Sequence, residues 1–269
     1  MNTLPRLVAT DIDGTLVRGD RTISPRTIAT LERVTGSGVP VVLVTGRPIR
    51  WLNQVYEQLS APIPAVCANG AVIYDPDTDT PVHTAPMAPD VLSRIAEKLR
   101  AEIPGVVLAV EIEDSRHMRH EAEWPVRYDT GMPTIRVVGS PEEITAAPAV
   151  KMLARSGSRD ADEFAALVNG ALRGLAEATH SSYSGLVEIS AVGVTKAAGL
   201  EWFCRQHGVV AADVLAFGDM PNDLPMLTWA GRPVAMANAH PAVLEIAADT
   251  TLSNDEDGVA AYLEKVFGF

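Results

Sequence analysis

The sequence predicts an α/β fold: a doubly wound parallel sheet into which a separate α+β unit is inserted. Two observations carry that prediction. Residues 7–70 read as strand, helix, strand, helix, strand, with near-continuous apolar strands of the kind covered on both faces. That rhythm then stops, and it resumes only at Leu186. The expected organisation is one domain built from residues 1–85 and 186–269, with residues 86–185 forming a second domain between them.

Each element has its own local reason. Leu7 to Thr10 is a short apolar run, read as a buried first strand. Ser24 caps a helix with Pro25 in its first turn; Ile28, Leu31 and Val34 form its apolar stripe, and Gly36 and Gly38 end it. Val39 to Val44 is rich in β-branched residues and reads as a second strand, ending at Thr45-Gly46-Arg47-Pro48, after which a second helix follows. Ala65 to Ala68 is a third strand, ending at Asn69-Gly70. Val72-Ile73-Tyr74 and Val82-His83 flank a turn at Asp75 to Thr80 and read as a hairpin.

The middle stretch offers strands at Val106 to Ile112, Thr134 to Val138, Val150 to Ala154 and Thr179 to Tyr183. Helices are interleaved at Pro89 to Ala101 and Asp160 to Ala176, and an open antiparallel sheet is expected. A helix from Thr195 to His207, a buried strand at Val214 to Phe217, the loop Gly218 to Asp223, a further helix and a strand at Pro233 to Met236 complete the chain.

Composition narrows the function. The formal net charge of −12 over 269 residues argues against a general nucleic-acid binder, which needs a basic face. Aromatics at 5% leave little for a base-stacking platform. Cys67 and Cys204 lie far apart among apolar neighbours and read as reduced core thiols. No apolar run approaches the roughly 18–20 residues of a membrane span, so the chain is expected to be cytoplasmic and off the membrane. Gly36-Ser37-Gly38 precedes a strand instead of following one, so it is not a dinucleotide fingerprint, and there is no P-loop. Oligomeric state leaves no mark on the sequence.

The chemistry starts at Asp11 and Asp13. Residues two apart in a strand share a face, so both carboxylates project together and repel, and Gly14 lets the chain turn away behind them. Such a pair usually persists because a cation or a reaction needs it. Thr45, Lys196 and Gly218-Asp219-Met220-Pro221-Asn222-Asp223 also lie at strand ends or a helix start. In an open α/β sheet those ends converge on the ligand crevice. Asp219 adds a third carboxylate, and hard oxygen donors favour Mg²⁺. An aspartate can attack phosphorus, and a second acid can protonate the leaving oxygen. The Thr45 hydroxyl, the Lys196 ammonium and backbone N–H groups near Ile12, Asp13 and Gly46 are suited to phosphoryl oxygens. Arg47 and Asn69 follow strand ends within reach of a substrate, whereas Arg50 is expected to be solvated.

These four elements resemble the four motifs of the haloacid dehalogenase superfamily of phosphohydrolases. Asp11-Ile12-Asp13-Gly14-Thr15-Leu16 resembles the first, Thr45 in Val44-Thr45-Gly46-Arg47 the second, Lys196 in Val194-Thr195-Lys196 the third, and Gly218 to Asp223 the fourth. The insertion after the third strand, Ala235-Met236-Ala237-Asn238-Ala239 and Ser253 to Val259 are similar to the Cof-like phosphatases with a type IIB cap. Ala237 departs from a frequent glycine of that pattern.

The resemblance implies a Rossmann-like core with the inserted unit as cap, Asp11 as nucleophile and Asp13 as acid/base. It implies Mg²⁺ held by the Asp11 carboxylate, the Asp13 carbonyl and Asp219, with Asp223 supporting Lys196 and metal waters and Asn222 on the phosphate side. The implied reaction is Mg²⁺-dependent hydrolysis of small phosphorylated metabolites, sugar phosphates first. A phosphomutase sharing Asp11 and Asp13, or a non-catalytic phospho-accepting or sensor module, is the alternative. The basic stretch Arg116 to His120 is expected to be an exposed strand edge or loop, with an anion-facing cap surface or a zinc site as lesser readings. Trp51, Trp124, Trp202 and Trp229 are expected to be packing residues.

Overall fold

The structure, a computed structural model, describes residues 4–125, 135–157 and 159–269. In chain order the strands are β1 (Leu7–Thr10), β2 (Val41–Val44), β3 (Ala65–Cys67), β4 (Val72–Asp75), β5 (Thr80–Thr84), β6 (Val107–Ile112), β7 (His117–His120), β8 (Ile135–Val138), β9 (Ala149–Arg155), β10 (Glu177–Thr179), β11 (Leu186–Ser190), β12 (Val214–Gly218), β13 (Arg232–Ala235) and β14 (Asp249–Thr250). They form an eight-stranded sheet, β14-β13-β12-β1-β2-β3-β4-β5, and a six-stranded sheet, β10-β11-β9-β6-β7-β8.

The eight-stranded sheet is parallel from β14 to β3, and the β4–β5 hairpin adds two antiparallel strands at one edge. The chain builds outward from β1 on one side, then returns to start again from β12 on the other. The switch point therefore lies between β1 and β12. All four residues of β1 are buried, as a strand covered on both faces requires. The Asp11 N–H donates to the Phe217 carbonyl at 3.0 Å, which sets the ends of the two strands side by side. Asp11 and Asp219 are the first residues beyond them.

The six-stranded sheet is antiparallel except for a parallel β7–β8 pair. Alternation divides its faces. Leu108, Val110, Met152, Ala154, Val187 and Ile189 pack with Leu92, Ile95 and Leu99 of the helix Pro89–Glu102 and Phe164 and Val168 of the helix Ala161–Leu172. Glu111, Lys151, Leu153 and Glu188 occupy the opposite face. An antiparallel sheet commonly turns such a polar face to water. Here the face roofs the carboxyl ends of the other sheet, and Glu111, Lys151 and Glu188 are all buried.

Three expectations are corrected. Leu186–Ser190 pairs with β9, so the chain is still in the second sheet where the sequence returns it to the first; the crossing back follows Ser190. An alternating strand of this kind fits either sheet, and only its partner decides. The strand placed at Thr179 to Tyr183 ends at Thr179, because Ser181 to Ser184 form a bend beside the cavity between the sheets. The basic stretch forms β7 with His120 buried, its ring nitrogen against the Glu121 carbonyl at 2.8 Å, instead of an exposed edge or loop. Of the strand expected at Thr134 to Val138, Thr134 lies outside the described residues, and the rest is β8.

Cys67 and Cys204 are buried and unbridged, and burial pushes both thiols up to about 12. Among the described residues no helix is long and apolar enough to cross a membrane.

Candidate active site

Lys196 is the first residue of the helix Lys196–Gln206, whose N-cap Thr195 accepts from the Ala198 N–H. A cation at a helix N-terminus opposes the dipole, so helix formation does not explain it. The packing does explain how it arrives. Gly199 costs helix propensity of about 1 kcal/mol relative to alanine. A Cβ there, however, would lie 2.6 Å from a Val66 methyl and 2.7 Å from the Gly70 Cα. The bare backbone lets the helix sit close on β3 and delivers Lys196 to the switch point. Its ammonium donates to Asp11 Oδ1 at 2.5 Å and Asp223 Oδ1 at 2.6 Å, with all three side chains buried. Burial disfavours the charged lysine, but the two carboxylates overcome it and hold the ammonium well above its ordinary range.

Asp223 uses its other oxygen to accept the Asp219 and Met220 N–H groups, both at 3.0 Å, which shapes the loop after β12. Asp219 is fixed in turn by the Thr15 hydroxyl, 2.7 Å from its Oδ1. Gly14 has φ +81, and a Cβ on it would lie 2.3 Å from Asp219 Oδ2. The Asp-Gly turn is thus required twice, by its left-handed backbone and by the carboxylate against it. Asn238 braces the same turn by donating to the Gly14 carbonyl at 2.8 Å, and Asn254 donates to the Val17 carbonyl at 2.9 Å. Both asparagines belong to the segments that carried the Cof-like resemblance.

One oxygen each from Asp11, Asp219 and Asp223 lie within 4.8 Å of one another. Burial, and then the neighbouring acids, push Asp11 well above the usual carboxylate range against the pull of Lys196; Asp219 is pushed up to about 7. Three buried acids with one ammonium between them cannot all stay charged without a further cation, and hard oxygen donors of this kind fit a divalent cation such as Mg²⁺. The Asp13 carboxylate stands apart. Arg47 holds it in a two-point pair, Nε to Oδ2 at 2.7 Å and Nη2 to Oδ1 at 2.6 Å. Thr45 is buried at the end of β2, where its hydroxyl accepts the Arg47 N–H at 3.1 Å and so orients the residue that holds Asp13.

Between the two sheets lies a cavity of about 450 Å³. Asp11, Asp13, Thr45, Gly46, Arg47 and Asn222 line its floor, so six of the residues singled out in the sequence meet there. Its roof includes Glu111, Met118, Trp124, Leu153 and Glu188. Asn69 is not among the lining residues. Its side chain donates to Glu188 at 3.0 Å and accepts from Asn222 at 3.1 Å.

Arg50 corrects its expectation most clearly. It is buried in a bidentate pair with Glu111 and lines the cavity instead of facing water. Trp51 and Trp124, expected only to pack, line the cavity too, with the Arg155 guanidinium 5.8 Å from the Trp124 ring. Sequence reading missed Thr15, Glu111, Lys151 and Glu188. The available signal was a charged residue inside a strand of apolar neighbours, visible in Val110-Glu111-Ile112, Val150-Lys151-Met152 and Val187-Glu188-Ile189.

Comparisons with known proteins place the chain in a family. Residues 8–263 match the family model of the haloacid dehalogenase-like hydrolases, and the chain belongs to that family. It is 32% identical to the 5-amino-6-(5-phospho-D-ribitylamino)uracil phosphatase YitU of Bacillus subtilis, covering 99% of each chain. It is 27% identical to the pyridoxal phosphate phosphatase YbhA of Escherichia coli, over 96% of this chain and 97% of that one. The solved structure of the subclass IIB sugar phosphatase BT4131 superposes with a TM-score of 0.80 at 25% identity, over 98% of this chain and 99% of that chain.

Proposed function

We propose that this haloacid dehalogenase-like hydrolase is a Mg²⁺-dependent phosphatase of small phosphorylated metabolites, acting through an aspartyl phosphate on Asp11. The observation that carries the reading is the Asp11–Lys196–Asp223 arrangement beside Asp219 at the sheet's switch point, with Asp11 opening onto the floor of a roofed cavity. Asp11 is the acid at the floor that a phosphorus atom in the cavity would meet, and Lys196 fixes its carboxylate. Asp13, on the same floor, protonates the departing alkoxide and then takes a proton from the water that cleaves the aspartyl phosphate. For both tasks one oxygen of its carboxylate leaves the Arg47 pair while the other keeps the group in place. Thr45, Gly46 and Lys196 supply a hydroxyl, a backbone N–H and a cation for the phosphoryl oxygens.

Mg²⁺ would be held by Asp11 and Asp219, with Asp223 alongside and the Asp13 carbonyl completing the set that the family resemblance implies. It would supply charge neutralisation of the phosphoryl group.

The named relatives act on a sugar phosphate, a ribitylamino-uracil phosphate and pyridoxal phosphate. All are small phosphomonoesters, and the cavity suits that class: cations near its floor, Trp124, Met118 and Leu153 in its roof. The test is phosphate release from a panel containing all three classes, with and without EDTA. Release that stops with chelator, returns with Mg²⁺ and disappears in Asp11→Asn supports the proposal. Undiminished release by Asp11→Asn refutes it.

A further inference from the structure

Two charged residues of the six-stranded sheet reach the floor of the cavity, and the mechanism above gives them no task. Lys151 Nζ, on β9, donates to the Gly46 carbonyl at 2.5 Å and to Glu188 Oε1 at 2.7 Å. Glu188, on β11, takes the Asn69 amide on Oε2 at 3.0 Å, and Asn69 Oδ1 takes the Asn222 amide at 3.1 Å. All four side chains are buried. Burial raises the proton affinity of Glu188, but the Lys151 charge and the hydrogen bonds from Lys151 and Asn69 outweigh it and hold the group below its ordinary range. It is a carboxylate, able only to accept.

That fixes the direction of every bond in the chain. Facing a carboxylate, Asn69 must present its NH₂, which leaves its oxygen toward Asn222. Asn222 must then give its own NH₂ to Asn69. Its Oδ1 is left buried with no partner among the described residues, although Asn222 lines the catalytic cavity. A buried carbonyl oxygen without a donor costs about 1–3 kcal/mol, so a donor is expected to meet it when the site is filled. Asn222 therefore offers an acceptor, suited to a substrate hydroxyl or a bound water and not to a phosphoryl oxygen. Asn69 is held for this in left-handed backbone, φ +56, with its N–H on the Thr45 carbonyl at 3.0 Å.

Resting on the phosphatase reading, the geometry assigns Lys151 and Glu188 as positioning residues for hydrolysis. Through Lys151 the roof fixes the Gly46 carbonyl beside Thr45. Through Glu188 and Asn69 it sets the polarity of Asn222, three residues from Asp219. The floor is thus fully ordered only with the roof seated on it.

The polarity can be inverted and restored. In Glu188→Gln the new amide faces the Asn69 amide, donor against donor. Adding Asn69→Asp moves the carboxylate one place along: the introduced acid accepts from the introduced amide and from Asn222, and the direction at Asn222 returns. Aspartate also tolerates left-handed backbone. The experiment is steady-state hydrolysis of an aryl phosphate by wild type, Glu188→Gln, Asn69→Asp and the double variant, each with a melting curve, beside Asp11→Asn. The expected result is a kcat loss of roughly 10- to 100-fold in each single variant with a smaller change in KM, and recovery of most of it in the double. A double variant that does not fold, or whose kcat is no better than the weaker single variant, overturns the assignment. So does Glu188→Gln with kcat within about twofold of wild type. In both cases an inactive Asp11→Asn leaves the phosphatase reading standing. Hydrolysis retained by Asp11→Asn overturns that reading and the assignment resting on it.

Discussion

Arg47 grips the carboxylate of Asp13 with two parallel hydrogen bonds, at 2.7 and 2.6 Å, while its Nη1 donates to the Trp51 carbonyl at 3.1 Å. The guanidinium is largely enclosed, whereas the Asp13 side chain is 54% exposed. An ion pair open to solvent on one side contributes about 0–1 kcal/mol to stability, so folding is not its main consequence. Its consequence is orientation. The acid closest in sequence to the proposed nucleophile is parked over the cavity floor by a residue that Thr45 itself orients.

Replacing Arg47 with lysine keeps the charge and removes the fork. Arg47→Lys should melt within experimental error of wild type while kcat for phosphate release falls by roughly tenfold. Parallel melting curves and steady-state kinetics check this. An unchanged kcat would show that the two-point pair has no part in setting Asp13.

Lys196 has the opposite balance. It is the buried counter-charge of Asp11 and Asp223, and removing one partner of a buried pair commonly costs about 3–5 kcal/mol. Lys196→Met should therefore lose both activity and stability in the metal-free protein. Added Mg²⁺ should return part of the stability, because a cation on Asp11 and Asp219 replaces some of the lost charge. Denaturant unfolding with EDTA and with Mg²⁺ measures both.

The pH response follows from Asp219. Burial first, and then the charges of Asp223 and Asp13, push its carboxyl up to about 7 from an ordinary value of 3.8, against the Thr15 hydrogen bond and Lys196. Between those values the folded, metal-free protein holds a proton that the unfolded chain has released. The stability this proton confers is fully present below about 3.8 and is lost as pH rises through about 7. Metal competes for the same oxygens. Mg²⁺ affinity should therefore rise with pH through about 7 as the proton on Asp219 is displaced. Mg²⁺ titrations of the melting temperature at several pH values check the slope; an affinity independent of pH would contradict it.

How much of this was legible in the sequence depended on where each residue's partner lies. Asp11 and Asp219 stand directly after buried strands, with Asp13 two residues beyond Asp11, and such strands announce themselves locally as apolar runs. Their convergence then follows from the general rule for open α/β sheets. Arg50, in the short 3₁₀ turn Ile49–Trp51, is 61 residues from Glu111, and Lys151 and Glu188 are 37 apart; Glu111, Lys151 and Glu188 stand in strands whose alternation reads as one apolar and one solvent face. Which face is solvated is a property of how the second sheet sits on the first, and no local pattern encodes that. The same ignorance misplaced Leu186–Ser190, whose alternation is equally good in either sheet. Thr15 was overlooked because its task, fixing Asp219, spans 204 residues.

The most direct test of the central claim is to trap the phosphoryl group on Asp11. The protein, mixed with an aryl phosphate and Mg²⁺ and quenched in acid within one turnover, is digested and its peptides are weighed. The account predicts a peptide containing Asp11 heavier by one phosphoryl group, absent from Asp11→Asn and from an EDTA control. Full phosphate release with no labelled peptide, or with the label on a residue other than Asp11, would contradict it.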